Sequence, residues 1–130
     1  MNDPRILVVE DEGLVALDIC KQLGIMGYHN VFNIGNADKA LRYVENNVLD
    51  LALLDIHIQG SMDGIQLGEV LRNRCDTPVV YLTAYTDSET VERAKHTEPY
   101  GYLVKPVDAR ELRSTIEVAL FKHQLEAARE

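Results

Sequence analysis

The sequence predicts an α/β domain in which five parallel strands alternate with five helices in a doubly wound sheet, and two observations carry that reading. Five apolar, β-branched-rich runs recur along the 130 residues, Ile6 to Val9, Asn30 to Ile34, Leu51 to Leu54, Val79 to Leu82 and Tyr102 to Val104, with segments of helical spacing between them. The first, third and fourth runs are apolar at successive positions, as central parallel strands covered on both faces must be. The second alternates, which suits an edge. Right-handed crossovers wind such a sheet on both faces, and the order 2-1-3-4-5 sets the topological switch between strands one and three, where ligands bind beyond the carboxyl ends.

The helices follow from spacing and caps. Ala16, Cys20 and Leu23 line the first, which stops near Gly27; Ala37, Ala40, Leu41 and Val44 line the second behind an N-cap at Asn36. Leu67, Val70 and Leu71 mark the third. A capping box Thr86-x-x-Glu89 opens the fourth, which runs to about Thr97 with only Val91 and Ala94 as apolar anchors and is the most easily shifted element. The box Asp108-x-x-Glu111 opens a fifth that extends to about Arg129, ~33 Å at ~1.5 Å per residue. Leu112, Ile116 and Ala119 suit its core face, while Leu120, Phe121 and Leu125 continue the apolar character further. Residues 1–130 therefore read as a single domain in which 120–130 suits a helical connector, one that pairs into a homodimer or feeds an output module, fused or separate; the bland alternative is a frayed tail.

Composition removes several classes. At 46% hydrophobic and 26% charged, with 8 Gly and 4 Pro, the chain is neither disordered nor of low complexity. Apolar runs such as Ile6 to Val9 are four residues long, far below the ~20 of a membrane helix, and no signal segment opens the chain, so a cytoplasmic protein without membrane contact is expected. A net charge of -8 opposes direct binding to nucleic acid or an anionic surface. Cys20 and Cys75, inside helical segments, read as small buried hydrophobes, and His29, His96 and His123 as scattered surface residues.

The informative residues stand at the strand mouths. Strand one ends in Glu10-Asp11, strand three in Asp55, strand four in Thr83 and strand five in Lys105-Pro106. Each has a local explanation: a helix cap for Asp11, a turn for Asp55, a local hydrogen bond for Thr83, solvation for Lys105. Together they bring three carboxylates, a hydroxyl and an ammonium to one edge of one sheet. Carboxylates converging without His or Cys make a hard oxygen site suited to Mg²⁺. An Asp beside such a cation can attack phosphorus and form an acyl phosphate, with Lys105 as a point charge and Thr83 as a donor to a phosphoryl oxygen.

With these residues in place the sequence resembles the receiver domains of two-component response regulators over nearly its whole length. The resemblance rests on Val8-Val9-Glu10-Asp11-Glu12, Leu53-Leu54-Asp55, Met62-Asp63-Gly64, Leu82-Thr83-Ala84 and Gly101-Tyr102-Leu103-Val104-Lys105-Pro106, in family order. It implies a flavodoxin-like fold, Mg²⁺ dependence, and phosphoryl transfer from a histidine kinase or His-phosphotransfer protein. Position by position it implies Asp55 as phosphoacceptor, Asp11 as the main metal carboxylate, Glu10 as a metal neighbour acting through water, and the backbone carbonyl of His57 as a further metal ligand. Thr83 and Lys105 become the phosphate contacts, Thr83 and Tyr102 the switch pair, and His57 and Tyr85 the side chains that gate dephosphorylation. The Lys105-Pro106 bond is expected cis. Three departures stand out: Glu10 replaces a second Asp, the segment between Asp55 and Gly64 is one residue longer than the common pattern and lacks its proline, which leaves its path open, and Thr97-Glu98-Pro99-Tyr100 replaces the more usual Gly-Ala before strand five.

The leading reading is thus a phosphorylation-controlled switch whose only catalysis is its own phosphorylation and autodephosphorylation. A phosphohydrolase of the haloacid dehalogenase type would need a second Asp two positions after Asp55, where His57 stands. A pseudo-receiver would not need Asp11, Asp55, Thr83 and Lys105 together.

Overall fold

The computed structural model describes residues 3–84 and 88–129. Five strands and five helices alternate: β1 (Ile6–Val9), α1 (Gly13–Ile25), β2 (Val31–Ile34), α2 (Ala37–Asn46), β3 (Leu51–Asp55), α3 (Gly64–Cys75), β4 (Val79–Thr83), α4 (Ser88–Lys95), β5 (Gly101–Val104) and α5 (Ala109–Ala128). All pairings are parallel and the order is β2-β1-β3-β4-β5, as the sequence predicts.

The unbroken apolar runs have a direct cause. Alternate residues of each central strand enter two separate cores, because successive side chains point to opposite faces. Leu7, Val9, Ala52, Leu54, Val79 and Tyr81 pack under α2, α3 and α4. Ile6, Val8, Leu51, Leu53, Val80 and Leu82 pack under α1 and α5, against Ile19, Leu23, Leu112, Ile116 and Ala119. Each such Leu or Ile, withdrawn from water, contributes ~2 kcal/mol of transfer free energy. On β2 the edge position holds, although Phe32 and Asn33 are both exposed instead of alternating.

Caps set the helix ends. Asn36 accepts from the amides of Asp38 and Lys39, and Asp108 from those of Arg110 and Glu111. Gly27, at φ +100°, follows the end of α1 in a conformation that costs other residues. On α3 a capping box that the periodicity did not disclose joins Asp63 and Gln66. Thr86, expected to cap α4, and Tyr85 lie outside the described residues. Ala94 is the buried anchor of α4 and Val91 is half-buried.

Two surface details differ from expectation. Cys75 is exposed because α3 ends on it, beyond the buried turn at Leu71, and Cys20 is half-buried. His123 is half-buried, edge-on to Tyr100 and 3.4 Å from Asp76. Among the described residues no helix is long and apolar enough to cross a membrane.

Candidate functional site

The chain emerges from β1 into Glu10 and Asp11 while β3 ends in Asp55 alongside, since Val9 pairs with Leu54 in register. Glu10 is 1% exposed and Asp55 4%, and both are held by short-range backbone donors. The Glu12 amide donates to Glu10 Oε2 at 3.0 Å, and the His57 amide donates to Asp55 Oδ1 at 2.9 Å. Lys105, two positions beyond the buried Leu103, donates to Asp55 Oδ2 at 2.9 Å and to Glu10 Oε1 at 3.2 Å. The Lys105-Pro106 peptide bond is cis, as the resemblance implied.

Asp11 is exposed at the rim, and it does not cap α1: the N-cap residue is Glu12, without a side-chain cap bond. Carboxylate oxygens of Glu10, Asp11 and Asp55 all come within 4.8 Å of one another. Burial pushes the Glu10 carboxyl above its ordinary value, and the Asp55 charge adds to this against the Glu12 amide and Lys105. Burial alone would lower the Lys105 ammonium, but its hydrogen bonds to and attraction by Asp55 and Glu10 outweigh that and raise it.

Thr83 is buried at the end of β4, one position beyond Leu82, the register partner of Asp55. Its hydroxyl donates to the Ala84 carbonyl at 3.2 Å. Tyr81 pairs with Tyr102 and Thr83 with Val104, so these four share one face of the sheet edge, and Thr83, Tyr102 and Val104 border a groove beneath α4 together with Val91 and Lys95. The Tyr102 ring is half-buried, its centroid 6.2 Å from that of Tyr81. His57 is exposed at the rim.

The path of the long segment after Asp55 is fixed by both neighbours. Ile56 and Ile58 turn inward and are buried. Gln59 forms a bridge with Asn36 and accepts from the Ala37 amide at 3.0 Å, so the extra residue is absorbed against the start of α2. Gly60, at φ +129°, redirects the chain, and Ser61 then donates from its amide to Asp38 Oδ2 at 3.0 Å and from its hydroxyl to Oδ1. These Ser61 hydrogen bonds hold the Asp38 carboxyl below its ordinary value. Gly64 closes the loop: its amide donates to the Ile56 carbonyl at 2.9 Å, and a Cβ there would lie 2.0 Å from the Asp55 carbonyl oxygen. The need for glycine at 64 was present in Met62-Asp63-Gly64 as a motif but its cause, the approach of α3 to the end of β3, is tertiary.

The donor set fits magnesium. It is all oxygen, as a hard cation requires. Three carboxylates against one ammonium leave two formal negative charges in the cluster for a divalent ion to offset.

Comparison with known proteins agrees with this geometry. The response regulator receiver domain family matches residues 6–117. The transcriptional regulatory protein PdtaR of Mycobacterium tuberculosis is 33% identical over 116 residues, 89% of this chain and 56% of PdtaR. ZraR of Escherichia coli K12, also a transcriptional regulatory protein, is 36% identical over 94% of this chain, which spans 28% of ZraR. The chain thus spans about half the length, or less, of the curated relatives it matches. Among solved structures, the signal receiver domain of a modulated diguanylate cyclase from Desulfovibrio desulfuricans G20 superposes with a TM-score of 0.89 at 38% identity, covering 95% of this chain and 98% of that one. The receiver domain of NtrX from Brucella abortus gives 0.81 at 30% identity, over 88% and 97% of the respective chains. The chain belongs to the response regulator receiver domain family, the receivers of two-component signalling.

Proposed function

We propose that this receiver accepts a phosphoryl group on Asp55 from a histidine kinase or His-phosphotransfer protein in a Mg²⁺-dependent reaction, and that the modified domain signals to an output module or partner. The carrying observation is the setting of Asp55: buried, with Oδ1 held by the His57 amide and Oδ2 on Lys105.

In this reading an Asp55 carboxylate oxygen forms a P–O bond while the donor's P–N bond, in phosphohistidine, or P–O bond, in acetyl phosphate, breaks and the leaving group carries off its electron pair. Bound Mg²⁺, held by Asp55, Asp11 and the His57 carbonyl with Glu10 reached through water, supplies neutralisation of phosphoryl charge. Lys105, already within reach of Asp55, turns from its carboxylate to a phosphoryl oxygen. The Thr83 hydroxyl exchanges the Ala84 carbonyl for another phosphoryl oxygen, and Tyr102 turns into the space this opens. Such a transition state needs positioning and charge neutralisation more than proton transfer, which suits a site built of carboxylates and one ammonium. His57, two positions after Asp55, and Tyr85 screen the acyl phosphate from water and set its lifetime. The chain's own phosphorylation and autodephosphorylation are its only catalysis, it works in the cytoplasm without direct contact to nucleic acid or membrane, and residues 1–130 act as one domain with 120–130 as a helical connector.

Intact mass after incubation with acetyl phosphate, with and without Mg²⁺, tests the proposal. A single adduct is expected on the parent and none on Asp55→Asn, which keeps the shape and loses the nucleophile. Labelling of the Asn variant at the parent's rate refutes Asp55 as acceptor.

A further inference from the structure

The segment from Ile56 to Asp63 carries His57, whose backbone carbonyl is one of the metal ligands proposed above. It holds no proline to restrict its backbone, and Gln59, Gly60 and Ser61 at its middle are exposed. Ordering such a stretch costs conformational entropy, most of all at a glycine. Its two ends are fixed by the elements they join. The Ile56 amide donates to the Leu82 carbonyl at 3.2 Å, and the Ile56 carbonyl accepts from the Gly64 amide at 2.9 Å. At the other end Asp63 closes a capping box with Gln66 and pairs with Arg93 at 3.1 Å.

The middle is fixed by α2 instead. The Gln59 carbonyl accepts from the Ala37 amide at 3.0 Å. Gly60, at φ +129°, passes so close to α2 that a Cβ there would lie 3.1 Å from Asp38 Oδ2. Ser61 then donates twice to one carboxylate, from its amide to Asp38 Oδ2 at 3.0 Å and from its hydroxyl to Oδ1. Both bonds are charge-assisted, and the pair sets direction as well as distance. The low-lying Asp38 carboxyl agrees with this, since the two Ser61 bonds are its leading causes.

The bland account of Asp38 is a favourable charge in the first turn of a helix. That role needs no bond to Ser61, and α2 is already capped by Asn36, which accepts from the Asp38 and Lys39 amides. Nor does Asp38 belong to the cluster of Glu10, Asp11 and Asp55. Its two oxygens are spent on the segment that bears His57. Magnesium demands near-ideal octahedral geometry, so freedom left in a ligand subtracts from affinity, and groups outside the ligand set that restrain a ligand add to it.

We propose that Asp38 is a positioning residue for the metal site: by clasping Ser61 it holds residues 56–63, and with them the His57 carbonyl, in the arrangement that Mg²⁺ requires. The proposal rests on the reading of Glu10, Asp11, Asp55 and His57 as a magnesium site and names the residue that restrains its backbone ligand.

The test is a Mg²⁺ titration of the full chain followed by NMR in ~0.5 M KCl, where the Debye length is about 4 Å and distant charge is screened. Asp38→Ala should weaken binding about fivefold, less than the tenfold or more lost with a group bonded directly to a metal ligand. Ser61→Ala, which keeps the amide bond and alters no charge, should weaken it about twofold, and Ser61→Thr, which keeps the hydroxyl, should bind as the parent does. The Asp38→Ala, Ser61→Ala double variant should match Asp38→Ala alone, because the clasp is already open. In metal-free buffer the amides of residues 57 to 61 should exchange severalfold faster in Asp38→Ala while those of β1 are unchanged, and circular dichroism confirms that each variant is folded. Parent-like affinity in Asp38→Ala or Ser61→Ala, a loss in Ser61→Thr equal to that in Ser61→Ala, additive losses in the double variant, or unchanged exchange overturns the proposal. Asp11→Asn is titrated alongside. If it weakens Mg²⁺ binding and the clasp variants do not, the positioning role falls and the metal site stands; if it binds as the parent does, the metal reading falls and the positioning role with it.

Discussion

Lys105 Nζ lies 2.9 Å from Asp55 Oδ2, an ion pair that ties the chain after β5 to the end of β3 and places an ammonium on a carboxylate a divalent cation would share. The two cations compete for charge. Lys105→Met should therefore bind Mg²⁺ about fivefold more tightly, the factor for ~1 kcal/mol of lost competition, yet accept phosphate from acetyl phosphate more slowly. Calorimetric titration and intact mass measure the two arms; an unchanged or weaker Mg²⁺ affinity would contradict the competition.

Asp11 is the exposed member of the cluster, so it contributes charge without supporting the core. Asp11→Asn should weaken Mg²⁺ binding by about tenfold, as expected for removing a charged ligand from a hard-cation site, while leaving the urea midpoint in metal-free buffer unchanged. A midpoint that falls as the affinity falls would make Asp11 a structural residue.

Gly68 faces Tyr81 across the core, and a Cβ at this position would lie 2.1 Å from the Tyr81 hydroxyl oxygen. Gly68→Ala should cost ~2 kcal/mol through overpacking. Removing the hydroxyl in Tyr81→Phe takes away the nearest clash, so the double variant should lose less than the sum of the singles. Urea denaturation of all four proteins closes the cycle, and simple additivity would show that the helix moves away instead.

The same hydroxyl gives an alkaline signature. Burial raises Tyr81 from 10.0 to about 12, opposed by its hydrogen bond with Thr97 Oγ1 at 2.7 Å. The folded chain thus holds this proton more tightly than the unfolded chain, and the stability it contributes is complete below pH 10 and lost as pH rises toward 12. Tyr81→Phe should be ~1 kcal/mol less stable at pH 7 for want of the Thr97 bond, but its stability should fall less steeply above pH 10. Parallel slopes in the two proteins would mean that Tyr81 ionises in the folded state as it does unfolded. Tyr100, raised to about 12 by burial and then by Glu126, acts in the same window and stays as background in both.

Strands, the caps of α2 and α5 and the mouths of the sheet could be read from the sequence because each depends on neighbours in the chain. The run Leu51 to Leu54 shows its two-sided burial in its own composition, and Asn36 and Asp108 cap amides two and three residues away. Parallel topology then brings Glu10, Asp55 and Lys105 together without further information. What remained hidden is contact between elements with no period to announce it. The seat of the long loop on Asp38, 23 residues from Ser61, is one case, and the bond between Tyr100 and Glu126, 26 residues apart, is another. Cys75 misled because helical spacing gives the face of a residue but not whether its turn outlasts the sheet below it.

The groove beneath α4 carries the last prediction. Thr83, Tyr102 and Val104 border it on the sheet side, and Val91 and Lys95 on the helix side. Tyr102 is only half-buried, and α4 is short, with Ala94 its one fully buried residue. A helix so lightly anchored sits at the low end of local stability, where a small change in packing shifts its population. If a phosphoryl group draws the Thr83 hydroxyl away from the Ala84 carbonyl, as proposed above, inward rotation of the Tyr102 ring would change the surface on which α4 rests. Adding beryllofluoride with Mg²⁺ should therefore alter amide exchange severalfold across residues 88 to 104 while β1 exchanges as before. Thr83→Ala, which still offers Asp55 and Lys105 to the ligand, should bind beryllofluoride but lose the change in α4. Equal exchange across this segment in free and ligated parent, or a full response in Thr83→Ala, would locate the switch elsewhere.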